Sequence, residues 1–466
     1  MIVEQFYTKC LAQGAYYIES AGEAAIIDPL REPYTYLERL KQSNTSLKYI
    51  FETHFHADFV SGHLELSSIT KAPIVYGEVA NPNFEVIKAT DEQIFSIGKI
   101  KIKVLFTPGH TLESCCYLLI NEEDKPYCVF TGDTLFIGDV GRPDLAQKGV
   151  EITSEMLAGK LYDSLRNKLM TLPDDVIVYP AHGAGSACGK NMSTETSSTI
   201  GVQKKLNYAF NPNLTKSEFI EAVLHGLNAP PSYFKMNVDL NKNGYEFVDK
   251  LLATNKIPLS ASDFKQKSLD QNIIILDTRD GEEFAQSHIP NSINIGINGD
   301  FAPWVGTILI DVNTPLLLVG KEDMIDEVII RLSRVGFDNV LGYLEGGIAA
   351  WIDAGFQISS ISRNNPSFLW ENDLNNYQIL DVRKKTEFDV GHLNKSINVP
   401  LADIQKWKNT LDKNKSYIVH CAGGYRSMLA SSILQQNGYH IGSEIRGGFK
   451  AISEQFPNNN LIVKEL

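Results

Sequence analysis

Short apolar runs separated by polar residues dominate the first half of the chain. The segments SLKYIFE, IKVLF, CCYLLI, YCVF and DVIVY are bounded by turn residues, a pattern typical of buried β-strands. The alternation in MIVEQFYT predicts a further strand at the amino terminus. Residues 228–244 are rich in Pro, Asn and Gly, which predicts a loop-rich exit from a first domain.

Beyond residue 256 a pattern of strands and helices occurs twice. The segments IIILDTRDGEEFAQSHIPNSINI and YQILDVRKKTEFDVGHLNKSINV share residues at the same spacing. The shared pairs are Asp277/Asp381, Arg279/Arg383, Glu283/Glu387, Phe284/Phe388 and His288/His392. Each copy continues with an apolar strand, a helix and a Gly-Gly turn, which predicts a parallel sheet covered by helices. The chain therefore predicts three domains, at 1–255, 256–360 and 361–466, in agreement with its length of 466 residues.

Composition adds limits on partners and compartment. Hydrophobic residues make up 43% of the chain, as is usual for a globular protein. The net charge of −13 is unfavourable for binding nucleic acid or an anionic membrane. The sequence has no run of about 18 apolar residues, so it predicts no membrane span. The amino terminus does not have the pattern of a signal peptide. The six cysteines show no paired spacing, which favours free thiols and a cytoplasmic location.

Residues that commonly bind metals follow four of the predicted strands. They are His54, His56 and Asp58 in YIFETHFHAD, His110 in VLFTPGH, Asp133 in VFTGD, and His182 in IVYPAH. Loops at one end of an α/β sandwich converge, so these side chains are expected to meet in one cleft. A single histidine is better explained as a satisfied surface or core residue, but four such strand ends favour a metal site. Imidazole and carboxylate suit a divalent metal such as zinc or iron.

The order of these residues resembles the metallo-β-lactamase fold. The resemblance implies a four-layer αββα sandwich with its metals at one edge of the sheets. Hydrolases of the family, including glyoxalase II-like thioesterases, carry H-x-H-x-D-H and bind two metals, the Asp and the following His holding the second. Here Asp58 is followed by Phe59, whose ring has no lone pair to donate. The resemblance therefore implies a mononuclear centre.

Among mononuclear members, the persulfide dioxygenases are the most similar. They hold Fe(II) with two His and one Asp and leave positions open for O₂ and a persulfide sulfur, as is typical of non-haem oxygenases. The resemblance implies one Fe(II) per chain on His54, His110 and Asp133. The groups that it leaves to orient water or substrate are His56, Asp58 and His182. Many members of that branch keep a histidine at the position of Phe59, so Phe59 favours one metal without identifying it as iron.

Two further segments of the first domain are candidates for substrate binding. GDVGRPDL resembles the family's Gly-Arg-x-Asp turn near the entrance for the thiol substrate, and Arg142 is suited to bind a carboxylate bidentately. A local ion pair between Arg142 and Asp144 is the alternative. GAGSACGK follows His182, and its Cys188 is placed to receive or shield sulfur. A buried, inert cysteine is the alternative there.

The last repeat contains a second candidate site in IVHCAGGYRSMLA. A strand leads to Cys421, and a loop through Gly423, Gly424, Tyr425 and Arg426 leads into a helix. Loop N–H groups and the positive end of the helix can surround the sulfur and hold an anion or a persulfide. With LDVR before it and RGG after it, the loop resembles the rhodanese sulfurtransferases, which implies that Cys421 is the nucleophile and Arg426 its cationic partner. Dual-specificity phosphatases share the loop length but not the surrounding LDVR…E…GH pattern.

The middle repeat lacks these features. Gly320 aligns with Cys421, and KEDMIDE replaces the loop. Without a nucleophile, and with acidic residues that repel sulfur oxyanions, this copy is predicted to be an inactive rhodanese-like domain that acts as a spacer or docking surface.

The domain order resembles bacterial persulfide dioxygenase–sulfurtransferase fusions. The expected function is oxidation of a small thiol persulfide, of glutathione, coenzyme A or a similar thiol, by O₂ to sulfite. Transfer of sulfane sulfur through Cys421 then gives thiosulfate, in sulfide detoxification. The resemblance also favours a homo-oligomer. The alternative is a glyoxalase II-like thioester hydrolase, using a metal-bound hydroxide, fused to a sulfurtransferase.

Overall fold

Two six-stranded sheets form the first part of the computed structural model, which describes residues 1–146, 151–227, 229–456 and 462–463. The strands of the first sheet, in sheet order, are Ile2–Thr8 (β1), Gln13–Ser20 (β2), Glu23–Ile27 (β3), Ser46–Phe51 (β4), Ile74–Gly77 (β5) and Ile87–Ala89 (β6). Those of the second sheet are Ile94–Ile97 (β7), Ile100–Phe106 (β8), Cys115–Ile120 (β9), Pro126–Gly132 (β10), Ile177–Pro180 (β11) and Ser198–Thr199 (β12). All five apolar runs predicted to be strands are confirmed as β4, β8, β9, β10 and β11.

Helices alternate with these strands along the chain and follow the last of them. They are Tyr34–Ser43 (α1), His63–Thr70 (α2), Ser154–Ser164 (α3), Ile200–Leu206 (α4), Lys216–Leu224 (α5), Phe234–Asn243 (α6) and Val248–Asn255 (α7). Among the described residues, three apolar cores hold the layers together, and no residue belongs to more than one of them.

Between the sheets, Phe51 and Val75 of the first sheet pack with Val104 and Phe130 of the second. The opposite face of the second sheet packs against α3 and α5, and the opposite face of the first sheet packs against α1 and α2. Each buried apolar side chain contributes on the order of 1.5–3 kcal/mol to this layering. The result is the predicted four-layer αββα sandwich.

Two five-stranded parallel sheets form the rest of the chain. The strands of the first of these sheets, in chain order, are Pro258–Leu259 (β13), Ile274–Asp277 (β14), Ile293–Asn294 (β15), Leu316–Val319 (β16) and Val340–Leu344 (β17). Those of the second are Arg363–Asn364 (β18), Tyr377–Asp381 (β19), Ile397–Asn398 (β21), Ser416–His420 (β22) and His440–Ile445 (β23), while His392–Leu393 (β20) pairs with Ile462–Val463 (β24). The prediction of a parallel sheet in each repeat is confirmed.

Helices cover both parallel sheets, as the strand–helix alternation predicts. They are Ala261–Lys267 (α8), Gly281–Gln286 (α9), Phe301–Leu309 (α10), Ile325–Ser333 (α11), Gly347–Asp353 (α12), Phe368–Glu371 (α13), Lys385–Val390 (α14), Ile404–Trp407 (α15), Tyr425–Gln436 (α16) and Gly448–Gln455 (α17). The central strand β16 is buried along its whole length, which explains its uninterrupted run of apolar residues.

The chain divides into two units. The first comprises Met1–Lys250 with Ser333–Gly336, and the second comprises Leu251–Leu332 with Phe337–Leu466. Both repeats thus belong mainly to the second unit, and the three-domain boundaries remain predictions. In the part of the chain that the structure describes, no helix combines the length and the apolar character required to cross a membrane.

The predicted loop-rich exit at 228–244 is wrong in its second half, where α6 runs from Phe234 to Asn243. Phe234, Asn237 and Asn241 are buried on this helix. The repeated Asn residues suggested turns, but tertiary packing of one helix face overrides that local preference.

Candidate metal centre and cysteine loop

The four predicted strand ends meet within the first unit. The loop after β4 carries His54, and the ends of β8, β10 and β11 lead to His110, Asp133 and His182. All four side chains are buried, with at most 2% of each residue exposed. The sandwich therefore gathers residues that are up to 128 positions apart, from 54 to 182, at one edge of its sheets.

Among the described residues, His54, His110 and Asp133 form one of the buried groups that could hold a metal. The Nε2 atoms of His54 and His110 lie 3.8 Å and 3.4 Å from Oδ2 of Asp133. Ligands bound at roughly 2.0–2.2 Å to one ion lie about 3–3.5 Å apart, so the three atoms fit a common ion after small shifts. These are the three residues that the resemblance to the persulfide dioxygenases implies as metal ligands.

Both imidazoles of the triad are oriented by a second hydrogen bond. The Nδ1 of His110 donates to the carbonyl oxygen of Arg142 at 2.8 Å, which leaves its Nε2 as a lone-pair donor. The Thr53 hydroxyl donates to Asp28 at 2.8 Å and lies 2.9 Å from Nδ1 of His54. Because that hydroxyl has a single hydrogen, it must accept from His54, whose Nε2 then also faces Asp133. Burial and the neighbouring histidines lower the pKa of His54 well below its usual value, which keeps it neutral.

The hydrogen bonding of the Asp133 carboxylate indicates whether a cation fits at this site. Among the residues that the structure describes, neither of its oxygens has a hydrogen-bond partner, although the residue is 2% exposed. A buried carboxylate without donors costs several kcal/mol unless a cation compensates it. A divalent metal at the two imidazoles and this carboxylate meets that requirement.

A second group, His56, Asp58 and His182, lies beside the first. The Nε2 of His182 is 3.4 Å from Oδ2 of Asp58 and 3.5 Å from Oδ1 of Asp133. The Nε2 of His56 also lies 3.2 Å from Oδ1 of Asp28 and 3.5 Å from Oε2 of Glu52. Although burial lowers the pKa of His56, the charge of Asp28 and its hydrogen bond raise it to about 9.

Phe59 is fully buried next to these groups. Its ring packs on the imidazole of His56, with ring centroids 4.3 Å apart and planes 32° from each other. The position at which a two-metal motif has a histidine is therefore filled by a hydrocarbon ring in contact with His56.

Asn241 of α6 fixes the loop that carries this motif, and sequence reasoning missed it. Its Nδ2 donates to the carbonyl oxygens of His56 and Phe59 at 2.8 Å and 2.9 Å, and its Oδ1 accepts from the N–H of Ser61. All of these groups are buried, so the amide satisfies backbone atoms that would otherwise lack partners. The signal in the sequence was hidden by the misassignment of α6 as a loop.

Arg142 and Cys188 lie close to the metal centre. Arg142 forms the bidentate ion pair with Asp144 that was the alternative to substrate binding, with both contacts at 2.7 Å. Cys188 is buried, and a group of ligand atoms consists of its Sγ with Asp133 and His182. Burial, with nearby carboxylates, raises the pKa of the Cys188 thiol well above its usual value, as expected for an unreactive thiol. Roles for both in substrate binding remain predictions.

The cysteine loop of the last repeat connects β22 to α16. Cys421 is 1% exposed, and the N–H of Gly424 donates to its Sγ at 3.1 Å. The helix begins at Tyr425, so its positive end lies beside the sulfur. Arg426 makes a bidentate ion pair with Glu387, at 2.7 Å and 2.8 Å, which holds its guanidinium in place. Glu387 was noted only as a repeated residue, and its contact with Arg426 was not foreseen.

In the middle repeat the position of the cysteine is closed. A Cβ atom added to Gly320 would lie 2.5 Å from Oγ1 of Thr278. That hydroxyl in turn donates to the carbonyl oxygen of Val319 at 3.1 Å, so it is held against the strand end. The absence of a nucleophile at 320 is therefore accompanied by loss of the space for one.

Comparison with known proteins agrees with this division of the chain. The family described as the metallo-beta-lactamase superfamily matches residues 9–182, and the rhodanese-like domain matches residues 260–354 and 368–455. The probable hydroxyacylglutathione hydrolase glo2 of Schizosaccharomyces pombe is 31% identical over 199 residues, which are 42% of this chain and 72% of that protein. The chain spans 59–72% of the length of four such curated relatives.

Two solved structures are also similar. A metallo-beta-lactamase from Staphylococcus aureus subsp. aureus COL has 31% identity and a TM-score of 0.64, covering 74% of this chain and 98% of that one. ETHE1 from Myxococcus xanthus has 30% identity and a TM-score of 0.44, covering 52% of this chain and 98% of that one.

Replacement of Asp133 by Asn should remove the metal, because the amide cannot compensate a cation. We expect Asp133→Asn to lower metal affinity at least about 100-fold, measured as metal bound per chain after dialysis against a competing chelator. The exposed carboxylate of Asp124, paired with Lys101, provides the control variant Asp124→Asn, which should retain metal. Equal metal content in the two variants would contradict the assignment.

Proposed function

This chain belongs to the metallo-beta-lactamase superfamily and continues into two rhodanese-like domains, and from that premise we propose that it is a persulfide dioxygenase joined to a sulfurtransferase. It would oxidise a small thiol persulfide with O₂ to sulfite and pass sulfane sulfur through Cys421 to give thiosulfate. The observation that carries the proposal is Phe59, buried on His56 where a two-metal hydrolase has a ligand.

The first reaction consumes one persulfide, one O₂ and one water and releases one thiol and one sulfite. Fe(II) held by His54, His110 and Asp133, one per chain, would supply the open coordination positions that such chemistry requires. The chain's own contribution is to orient the two imidazoles through Thr53 and the Arg142 carbonyl oxygen. The side chains that would orient water or substrate are His56, Asp58 and His182, whose ligand atoms lie close together.

The second reaction takes place at Cys421 and needs no added oxidant. The cysteine sulfur attacks the sulfane sulfur of a second persulfide, a new S–S bond forms, and the carrier leaves as a thiol. Sulfite then attacks the outer sulfur of the Cys421 persulfide, which releases thiosulfate and regenerates the thiol. The N–H of Gly424 and the amino end of α16 stabilise negative charge on sulfur during both steps. Arg426, held by Glu387, would add a cationic group for sulfite, and Gly423 and Tyr425 complete the loop around it.

A metal-dependent thioester hydrolase joined to a sulfurtransferase is the second candidate. The names of the curated relatives favour it, since four of them are hydroxyacylglutathione hydrolases or probable ones. They also support a glutathione-type thiol as the substrate carrier in either reaction. Coenzyme A or another small thiol would serve the proposed chemistry equally, and a homo-oligomer in the cytoplasm is part of the proposal.

One experiment separates the two candidates. The protein is purified without oxygen, its iron and zinc per chain are counted, and O₂ uptake is followed with glutathione persulfide. We expect about one iron per chain and O₂ uptake, because the triad matches non-haem iron oxygenases. Zinc at stoichiometric level, no O₂ uptake, and cleavage of an S-acyl glutathione thioester would establish the hydrolase instead.

Restoring an imidazole at position 59 should create a second metal site next to Asp58 and His182. We expect Phe59→His to raise bound metal from one to two equivalents per chain, measured by elemental analysis after titration with the metal. Phe59→Leu, which changes the same buried position without adding a lone pair, should remain at one. Two equivalents in the unaltered protein would refute the mononuclear proposal.

Removal of the cysteine nucleophile should uncouple the two reactions. Because Cys421 takes part only in sulfur transfer, Cys421→Ala is expected to keep its rate of O₂ uptake within about twofold and to release sulfite in place of thiosulfate. Ion chromatography of the products measures both anions. Undiminished thiosulfate from this variant would show that sulfur does not pass through Cys421.

The middle repeat supports the cysteine loop within the second unit. The Tyr425 hydroxyl donates to the carbonyl oxygen of Gly296 at 2.8 Å, and a Cβ atom added to Gly299 would lie 2.3 Å from the Tyr425 ring. The ring thus packs directly on the backbone of the middle repeat. A copy without a nucleophile would in this way hold the loop of the copy that has one.

A methyl group at position 299 should displace the Tyr425 ring and disturb the loop that follows Cys421. We expect Gly299→Ala to slow sulfur transfer about 10-fold while O₂ uptake is unchanged, measured as thiosulfate formed from persulfide and added sulfite. Gly159→Ala is the control, because this glycine lies within α3 and a Cβ there would meet nothing closer, among the described residues, than the flexible end of the Lys216 side chain, at 3.1 Å. Equal rates in the two variants would contradict the supporting role.

A further inference from the structure

Behind the sulfur of Cys421 lies a buried hydroxyl, and behind that hydroxyl lies a buried carboxyl. The Oγ of Ser427, in the first turn of α16, is 3.4 Å from Sγ of Cys421. The same Oγ also forms a short hydrogen bond with Oε1 of Glu444, on strand β23. Ser427 and Glu444 are both fully buried, so water does not compete for these contacts.

The hydroxyl of Ser427 has one hydrogen and two neighbours that can use it. When Glu444 is ionised, Ser427 donates to it and can accept the hydrogen of the Cys421 thiol. When Glu444 is protonated, the carboxyl can donate to Ser427, which then donates to the Cys421 thiolate. The two arrangements differ by a shift of two protons along one line of three groups, and no heavy atom has to move far.

The surroundings of Glu444 suit a group that changes its charge. Nε of Arg363 lies 3.0 Å from Oε2 of Glu444, and the other charged groups that act on it are Glu282 and Arg446. Burial raises the pKa of Glu444, Arg363 partly offsets that rise, and the result is a pKa of about 7. Both charge states of Glu444 are therefore accessible near neutral pH.

The middle repeat shows that the two residues accompany the cysteine. Strand register pairs Val419 with Glu444 in the last repeat and Leu318 with Tyr343 in the middle one. Val419 and Leu318 each stand two positions before the residue at the nucleophile position, so Tyr343 replaces Glu444 where Gly320 replaces the cysteine. Asp326, six residues after Gly320, stands where the last repeat has Ser427. The copy without a thiol has neither group of the relay.

We propose that Ser427 and Glu444 form a proton relay for Cys421. As the thiol becomes a thiolate, its proton passes to Ser427, and the hydroxyl hydrogen of Ser427 passes to Glu444. Ser427 contacts the reacting sulfur, and Glu444 is a positioning residue that acts through it. In the direction of sulfur transfer this rests on the proposed function, whereas the relay itself requires only Cys421.

The proton balance of the transfer cycle closes around this relay. The thiolate attacks the sulfane sulfur, an S–S bond to Cys421 forms, the S–S bond to the carrier breaks, and the carrier thiolate takes a proton from water. Sulfite then breaks the Cys421 S–S bond by attack on the outer sulfur and leaves as thiosulfate. The Cys421 thiolate recovers its proton from Glu444 through Ser427. No external oxidant or reductant takes part.

The test is a pH titration of the Cys421 thiolate, followed by its ultraviolet absorbance as the difference from Cys421→Ala. Two groups that share protons titrate in two steps that belong to the pair. We expect thiolate to appear in two steps in the unaltered protein. Glu444→Gln and Ser427→Ala should each lose the first step, and Ser427→Thr, which restores a hydroxyl, should recover it.

Ser431 provides the matched control, because it is buried one turn further along α16. Ser431→Ala should keep both steps. A single step in the unaltered protein, or two steps in Ser427→Ala, would overturn the relay. If Glu444→Gln fails to fold because Arg363 loses its partner, Ser427→Ala decides alone. The titration uses neither persulfide nor metal, so its failure is distinguishable from failure of the proposed function.

Discussion

The buried carboxylate of Asp133 is the constraint around which the first unit is arranged. Its oxygens face the imidazoles of His54, His110 and His182 and, among the described residues, accept no hydrogen bond. Such a charge is tolerated only where a cation compensates it, and the cation must be held by neutral lone pairs. The contacts of Thr53 and of the Arg142 carbonyl oxygen set those lone pairs in position. The apolar core between the two sheets keeps the four strand ends together.

In the second unit, too, a loop that follows a buried strand surrounds the candidate site. The loop there suits a negatively charged group, whereas the loops of the first unit suit a cation. Here the end of β22 presents the sulfur of Cys421, and the following backbone supplies a donor in place of acceptors. The N–H of Gly424 and the start of α16 contact that sulfur, and Arg426 is fixed nearby by Glu387. In both units a buried strand holds the reactive group at its carboxyl end, and the next loop determines the charge that the group can bear.

The candidate site residues that follow strands could be predicted from the sequence, but the groups that orient them could not. His54, His110, Asp133 and Cys421 could be found because each directly follows an apolar run. Asp28 and Asn241 could not, since they act on the motif loop from 25 and more than 180 residues away and carry no pattern of their own. Asn241 was also missed because its helix, α6, was predicted to be a loop.

Glu444 is a different case, because the sequence did contain a signal. It is the only acidic residue of β23, whose sequence is HIGSEI, and a carboxylate in a buried strand is rare unless it has a partner. What the sequence could not supply was the partner, since Ser427 and Arg363 are distant from it along the chain. The sequence pattern can indicate where a candidate reactive group lies, but the protonation of that group depends on contacts between strands and helices that are distant along the chain.

The closed position at Gly320 has a consequence for the history of the repeat. A cysteine introduced at that position would place its Cβ 2.5 Å from Oγ1 of Thr278, so the nucleophile cannot return by one substitution without a steric penalty. Recovery would also need a hydroxyl in place of Asp326 and a carboxyl in place of Tyr343. A cysteine at position 320 alone would therefore not reproduce the surroundings that Cys421 has in the last repeat. The middle repeat nevertheless keeps its contacts with the last repeat, among them those of Gly296 with Tyr425 and of His288 with Gln435.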